Sequence, residues 1–220
     1  MSQQPCRRRR HYRAHARQEE ILPVETTGAA ADPVAQLSYI RATLESAGSF
    51  TAVSGKGTMA IGLTACIAAY IASQLEASGH LNGHWFKTWI AEAGLALLIS
   101  LWSMNIKAKR AGEPLSSRPA RKFALSFSPP LLVGALLTVI LLQMGAVAAV
   151  PPMWLMLYGT AVITGGAFSV GIVPVMGLCF LALGVLATFL PIAWADWYML
   201  LGFGGLHLIF GALIAQKHGG

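Results

Sequence analysis

The stretch FALSFSPPLLVGALLTVILLQMG (Phe123–Gly145) contains no charged residue, and the stretch before it, IKAKRAGEPLSSRPARK (Ile106–Lys122), is densely basic. A helix needs about 20 apolar residues to cross a bilayer core. It must be a helix, because lipid offers no partner to an open backbone amide. Upstream of the basic loop lie Gly57–Gln74 and Trp85–Met104; downstream lie Pro152–Ser169, Ile172–Trp194 and Trp197–Ala215. Together these runs predict an all-α polytopic membrane protein with six transmembrane helices.

The loop also sets the orientation. Lys107, Lys109, Arg110, Arg118, Arg121 and Lys122 stand against one acid, Glu113. Short basic loops stay cytoplasmic. Both termini then fall on the same side, with Arg41 and Lys56 before the first span and Lys217 after the last. Of 16 Lys and Arg, Lys87 alone falls on the outer side. Trp85, Trp89, Trp154, Trp194 and Trp197 lie near the expected outer ends and Trp102 near an inner one, as in an aromatic belt. The net charge of +7 is therefore mostly topological bias plus an arginine-rich head, and nucleic acid is disfavoured as a partner.

Residues 1–31 read as a disordered cytoplasmic head with few large apolar residues. Its cluster Arg7, Arg8, Arg9 and Arg10 is a solvated tail or a contact for anionic lipid headgroups. No apolar run follows it, so no signal peptide is expected. Residues 32–50 read as an amphipathic helix. Asp32 suits the N-cap and Pro33 the first turn. Val34, Leu37, Ile40 and Leu44 form one apolar stripe. The 34–48 helix needs a surface: the bilayer interface, the cytoplasmic end of the bundle or a protein partner. Residues 51–220 are the transmembrane domain, and nothing in them opposes an oligomer.

Several stretches look familiar: SYIRATLESAGSFTAV (Ser38–Val53), RKFALSFSPP (Arg121–Pro130), TGGAFSVGIVPVMGL (Thr164–Leu178) and GFGGLHLIFG (Gly202–Gly211). From about Pro33 onward the chain resembles an uncharacterised family of small bacterial multi-pass integral membrane proteins. The resemblance implies this architecture and a bacterial inner-membrane location, and it implies no activity.

Inside the spans, ionisable groups are the informative residues. Glu92 lies about 10 Å below the outer boundary, at 1.5 Å per residue from Trp85. Such a group is costly in hydrocarbon and is expected to face the bundle or a wet cavity. Thr88, Glu92, Ala96 and Ser100 recur every four residues and make one small, polar face. His207 shares a face with Gly204, Gly211 and Ala215, close to the midplane. Glu92 and His207 are either interhelical anchors or, if they meet, a proton or cation site. Ser126, Pro130, Gly134 and Thr138 form a packing stripe, as do Ala161, Gly165 and Ser169. Pro129–Pro130 is expected to kink or interrupt its span and to free backbone carbonyls.

Catalytic readings fail on the residues. An intramembrane serine protease would need Ser169 beside His207, yet these sit at different depths and Gly-x-Ser-Gly is absent. One His and one Glu make no metal site. Gly165–Gly166 and Gly55-Lys56-Gly57 lack the spacing of phosphate loops. Cys6, Cys66 and Cys179 follow no pairing motif. The expectation is a non-enzymatic scaffold, sensor or regulatory subunit without cofactor. The alternative is a small transporter or channel built on Glu92 and His207.

Overall fold

A computed structural model describes residues 34, 36–40, 43, 50–75, 83–112 and 115–218. The arginine cluster Arg7–Arg10 and the rest of the 1–31 head lie outside the described residues. Of the 34–48 helix, residues 34, 36–40 and 43 are helical, and Val34, Leu37 and Ile40 are exposed.

The described residues from 50 onward are almost entirely helical. The helices are α1 (Gly55–Leu75), α2 (Gly83–Ala111), α3 (Arg118–Gln143), α4 (Val150–Gly166), α5 (Ile172–Ala187) and α6 (Ile192–His218). Five of them are long and apolar enough to cross a membrane. The exception is α5, which is apolar but has 16 residues. Its expected extension to Trp194 does not occur. Thr188–Leu190 form a turn, and Pro191 is extended at φ −58°, ψ 142°. Proline has no N–H to continue the ladder, so the chain restarts at Ile192 and α6 takes the residues assigned to the fifth span.

Neighbouring helices pack in the order α2, α1, α6, α5, α4, α3. Glycine makes two of these seams close. A Cβ on Gly62 would lie 2.9 Å from the Gly204 carbonyl oxygen, and one on Gly211 would lie 2.7 Å from the Met59 nitrogen. These contacts join α1 to α6. Across α4 and α5, a Cβ on Gly159 would lie 2.7 Å from the Gly177 carbonyl oxygen. Each pair lets two backbones touch where lipid gives no hydrophobic drive for association. The outermost helices, α2 and α3, bury least of their surface.

α3 runs unbroken through Pro129 and Pro130, so the expected interruption is absent. The expected free carbonyl is present. Pro130 cannot donate to Ser126, four residues back, and Thr164 Oγ1 on α4 lies 2.8 Å from the Ser126 oxygen, sharing its one proton between it and the Thr160 (2.9 Å) and Ala161 (3.2 Å) oxygens of its own helix. The same interface carries Trp154 Nε1 donating to Thr138 Oγ1 at 2.7 Å.

At one end of the bundle, Trp85 Nε1 donates to Asp196 Oδ1 at 2.8 Å and its ring stacks on Trp154. Trp85 and Trp89 are buried core residues, which corrects their assignment to a belt. Trp102, Trp194 and Trp197 are exposed, as a belt requires. At the other end, residues 50–54 form a strap across the helix ends. Phe50 makes a bridge to the α4–α5 turn, its N donating to the Phe168 oxygen at 2.6 Å and its own oxygen accepting from Ser169 Oγ at 2.7 Å. Lys107 Nζ donates to the carbonyls of Val53 (2.8 Å) and His218 (3.0 Å). Ser54 then caps α1, its Oγ accepting from the Gly57 amide.

Candidate functional site

His207 is 2% exposed and sits deep in the bundle. Its position follows from a change of helical winding. Leu200–Leu206 (LLGFGGL) winds as a π-helix before the α-helix resumes at His207. Gly202 and Gly204 supply residues without bulk where the wider turn meets its neighbours. A Cβ on Gly202 would lie 2.5 Å from Leu155 Cδ2. Single π-turns inside α-helices are frequent at functional positions. The imidazole lies in an aromatic box of Tyr158, Phe180 and Phe203, with ring centroids at 5.4, 5.3 and 6.1 Å. Tyr158 Oη and His207 Nε2 share a hydrogen bond of 2.7 Å. Nδ1 faces the Gly202–Phe203 main chain without reaching an acceptor in hydrogen-bonding geometry. Trp89 Nε1, across Phe203, is also buried without a partner.

Glu92 is 8% exposed but lies elsewhere. It sits on the outer helix α2, and its Oε1 accepts from Thr64 Oγ1 on α1 at 2.8 Å. That hydroxyl is shared. It also lies 3.2 Å from the Ala60 oxygen and 3.0 Å from the Ile61 oxygen, and a threonine has one proton to give. Thr88 Oγ1 is 3.0 Å from the His84 oxygen and donates there. Among the described residues, no Lys, Arg or His pairs with the carboxylate. A groove of about 400 Å³ opens beside it, lined by Thr64, Ile67, Ala68, Ile71, Thr88, Ala91, Glu92 and Leu95.

The structure thus joins Glu92 and Thr88 in one groove and leaves Ser100 out. Ser100 Oγ lies 3.7 Å from Met104 Sδ, one turn further along its own helix. Glu92 and His207 are held by different partners on different helices, with α1 packed between α2 and α6. Ser169 is engaged with Phe50, away from the imidazole. Among the described residues, no group of three or more His, Cys, Asp or Glu is placed to hold a metal ion. Sequence reasoning did not single out Thr64 or Tyr158. Tyr158 had a signal, since a phenol in an apolar span needs a partner for its hydroxyl. Thr64 had none, because threonine readily bonds back to its own helix.

No protein-family profile, curated protein or solved structure was found to match the chain.

Proposed function

We propose that this chain is a six-helix integral protein of the bacterial inner membrane, with both termini cytoplasmic, acting as a non-enzymatic scaffold, sensor or regulatory subunit. The family resemblance supports the bacterial assignment. The strap supports the topology. Lys107 draws the start of α1, the end of α2 and the end of α6 to one end of the bundle, where Lys56, Lys109, Arg110 and Lys217 also lie. With α5 counted as a short crossing, that basic end is the cytoplasmic one.

One observation carries the functional part. The intramembrane acid and base are separated, and each is engaged by a neutral hydroxyl. A relay or a coupled ion site needs them in reach of each other or along one wet path. The groove reaches Glu92 and does not reach His207. A small transporter is the second reading, favoured by that groove alone.

A flux assay separates the two. The full chain is reconstituted in proteoliposomes, and proton, sodium and organic-cation fluxes are compared with those of Glu92→Gln. The scaffold reading expects no flux above protein-free liposomes. Flux that Glu92→Gln abolishes, with normal insertion and elution, would overturn it in favour of transport.

A further inference from the structure

We propose that the groove between α1 and α2 is a binding site for a lipophilic organic cation, an ammonium or phosphonium centre carrying apolar groups. Binding there is the same whether the occupant is then moved or only sensed.

Three observations converge. The first is the state of the carboxylate. Glu92 is more than nine-tenths buried, receives one shared hydroxyl and has no cationic partner among the described residues. Lys87, five residues away on the same helix, makes no ion pair with it. An uncompensated carboxylate at membrane depth is expensive, and a cation alongside it removes that penalty with a strong interaction, because the surroundings are poorly polarisable.

The second is the lining. Apart from Glu92, Thr64 and Thr88, the groove offers only Ile67, Ala68, Ile71, Ala91 and Leu95. A bare metal cation wants roughly six or more oxygen ligands. Here one carboxylate and two committed hydroxyls are available, too few to replace a hydration shell. A cation that brings its own apolar surface needs no such shell, and the side chains around Glu92 match that surface.

The third is size and access. About 400 Å³ falls within the roughly 300–1,000 Å³ of small-molecule sites. The groove is open on one side, since its whole lining comes from α1 and α2. Ile67, Ile71 and Leu95 in its lining are exposed, so entry is lateral, from the lipid. The small residues Ala68 and Ala91 leave the space that larger residues would fill.

The test uses ions of one shape and opposite charge. The full chain in nanodiscs of neutral lipid is titrated with tetraphenylphosphonium and with tetraphenylborate. Expected are saturable binding of the cation, one per chain, and no saturable binding of the anion. Glu92→Gln should weaken the cation by about tenfold or more, as loss of a charge-assisted contact at low dielectric implies. Glu92→Asp should retain most binding, and Ala91→Trp, which keeps the charge and fills the space, should abolish it. Each variant is first shown to elute and unfold like the parent. A variant that does not is replaced by Thr88→Trp, which blocks the same space from one turn away. Equal uptake of both ions would mean lipid-like partition and overturn the proposal. So would undiminished binding in Glu92→Gln, or a chain whose groove is occupied by a second copy, read as Thr88→Cys crosslinking in the parent background that the cation does not compete away.

Discussion

His207 and Glu92 have nearly the same small exposure, yet they occupy opposite kinds of place. The imidazole is walled by three aromatic rings from α4, α5 and α6 and bonded to a buried phenol. The carboxylate lies against a single neighbouring helix and beside a groove open to the side. Burial measured as lost surface does not separate them. What separates them is the number of helices that close around each group. A polar group enclosed by three helices meets only protein. One shielded by two helices can also meet something that arrives from the membrane.

The comparison is most exposed to chemical access. Dicyclohexylcarbodiimide, which partitions into lipid, should modify Glu92 nearly to completion in intact membranes. Diethylpyrocarbonate should leave His207 untouched until the protein unfolds. Peptide mass spectrometry reads both. Protection of Glu92, or ready modification of folded His207, would erase the distinction.

The same substitution on the two helices should have opposite signs. Gly211→Ala, four residues from His207, places a methyl against the Met59 backbone nitrogen and should destabilise by roughly 1–3 kcal/mol. Gly94→Ala, two residues from Glu92, meets nothing within 4 Å. It should stabilise, by up to about 1 kcal/mol of helix propensity. Reversible unfolding in mixed micelles gives both values. A loss at Gly94 would mean that the open side of α2 is covered.

Single hydroxyls should show the smallest difference. Membrane hydrogen bonds average about 0.6 kcal/mol and reach about 1.7. Tyr158→Phe leaves both His207 nitrogens without an acceptor or donor in a sealed box and should fall near the upper figure. Thr64→Val should fall at or below the mean, because its hydroxyl is shared and Glu92 borders open space. Equal losses would place the two sites in one class.

The helices were legible where the signal is local. Long apolar runs mark α1 to α4, and the freed Ser126 carbonyl follows from Pro130. The α5–α6 break was misplaced because apolar composition continues straight through Pro191, and only the missing N–H reports the turn. Trp85 and Trp89 were read as interfacial because a tryptophan near a span end has two outcomes of similar composition. Which one holds depends on Asp196 and Trp154, both distant in sequence. Glu92 and His207 stood out as costly groups, but their partners did not. Pairing across helices depends on rotation and neighbour order, which the glycine contacts set and no local window contains.

The Lys107 contacts carry a consequence for biogenesis. Val53 and His218 stand near the start and the end of the membrane domain, and one ammonium holds the carbonyls of both. Synthesis runs from the N-terminus, and chains fold in that order as they emerge. The bond to Val53 becomes available once α2 is made. The bond to His218 waits for the end of α6. The ammonium is therefore doubly engaged only once α6 has been inserted and turned home.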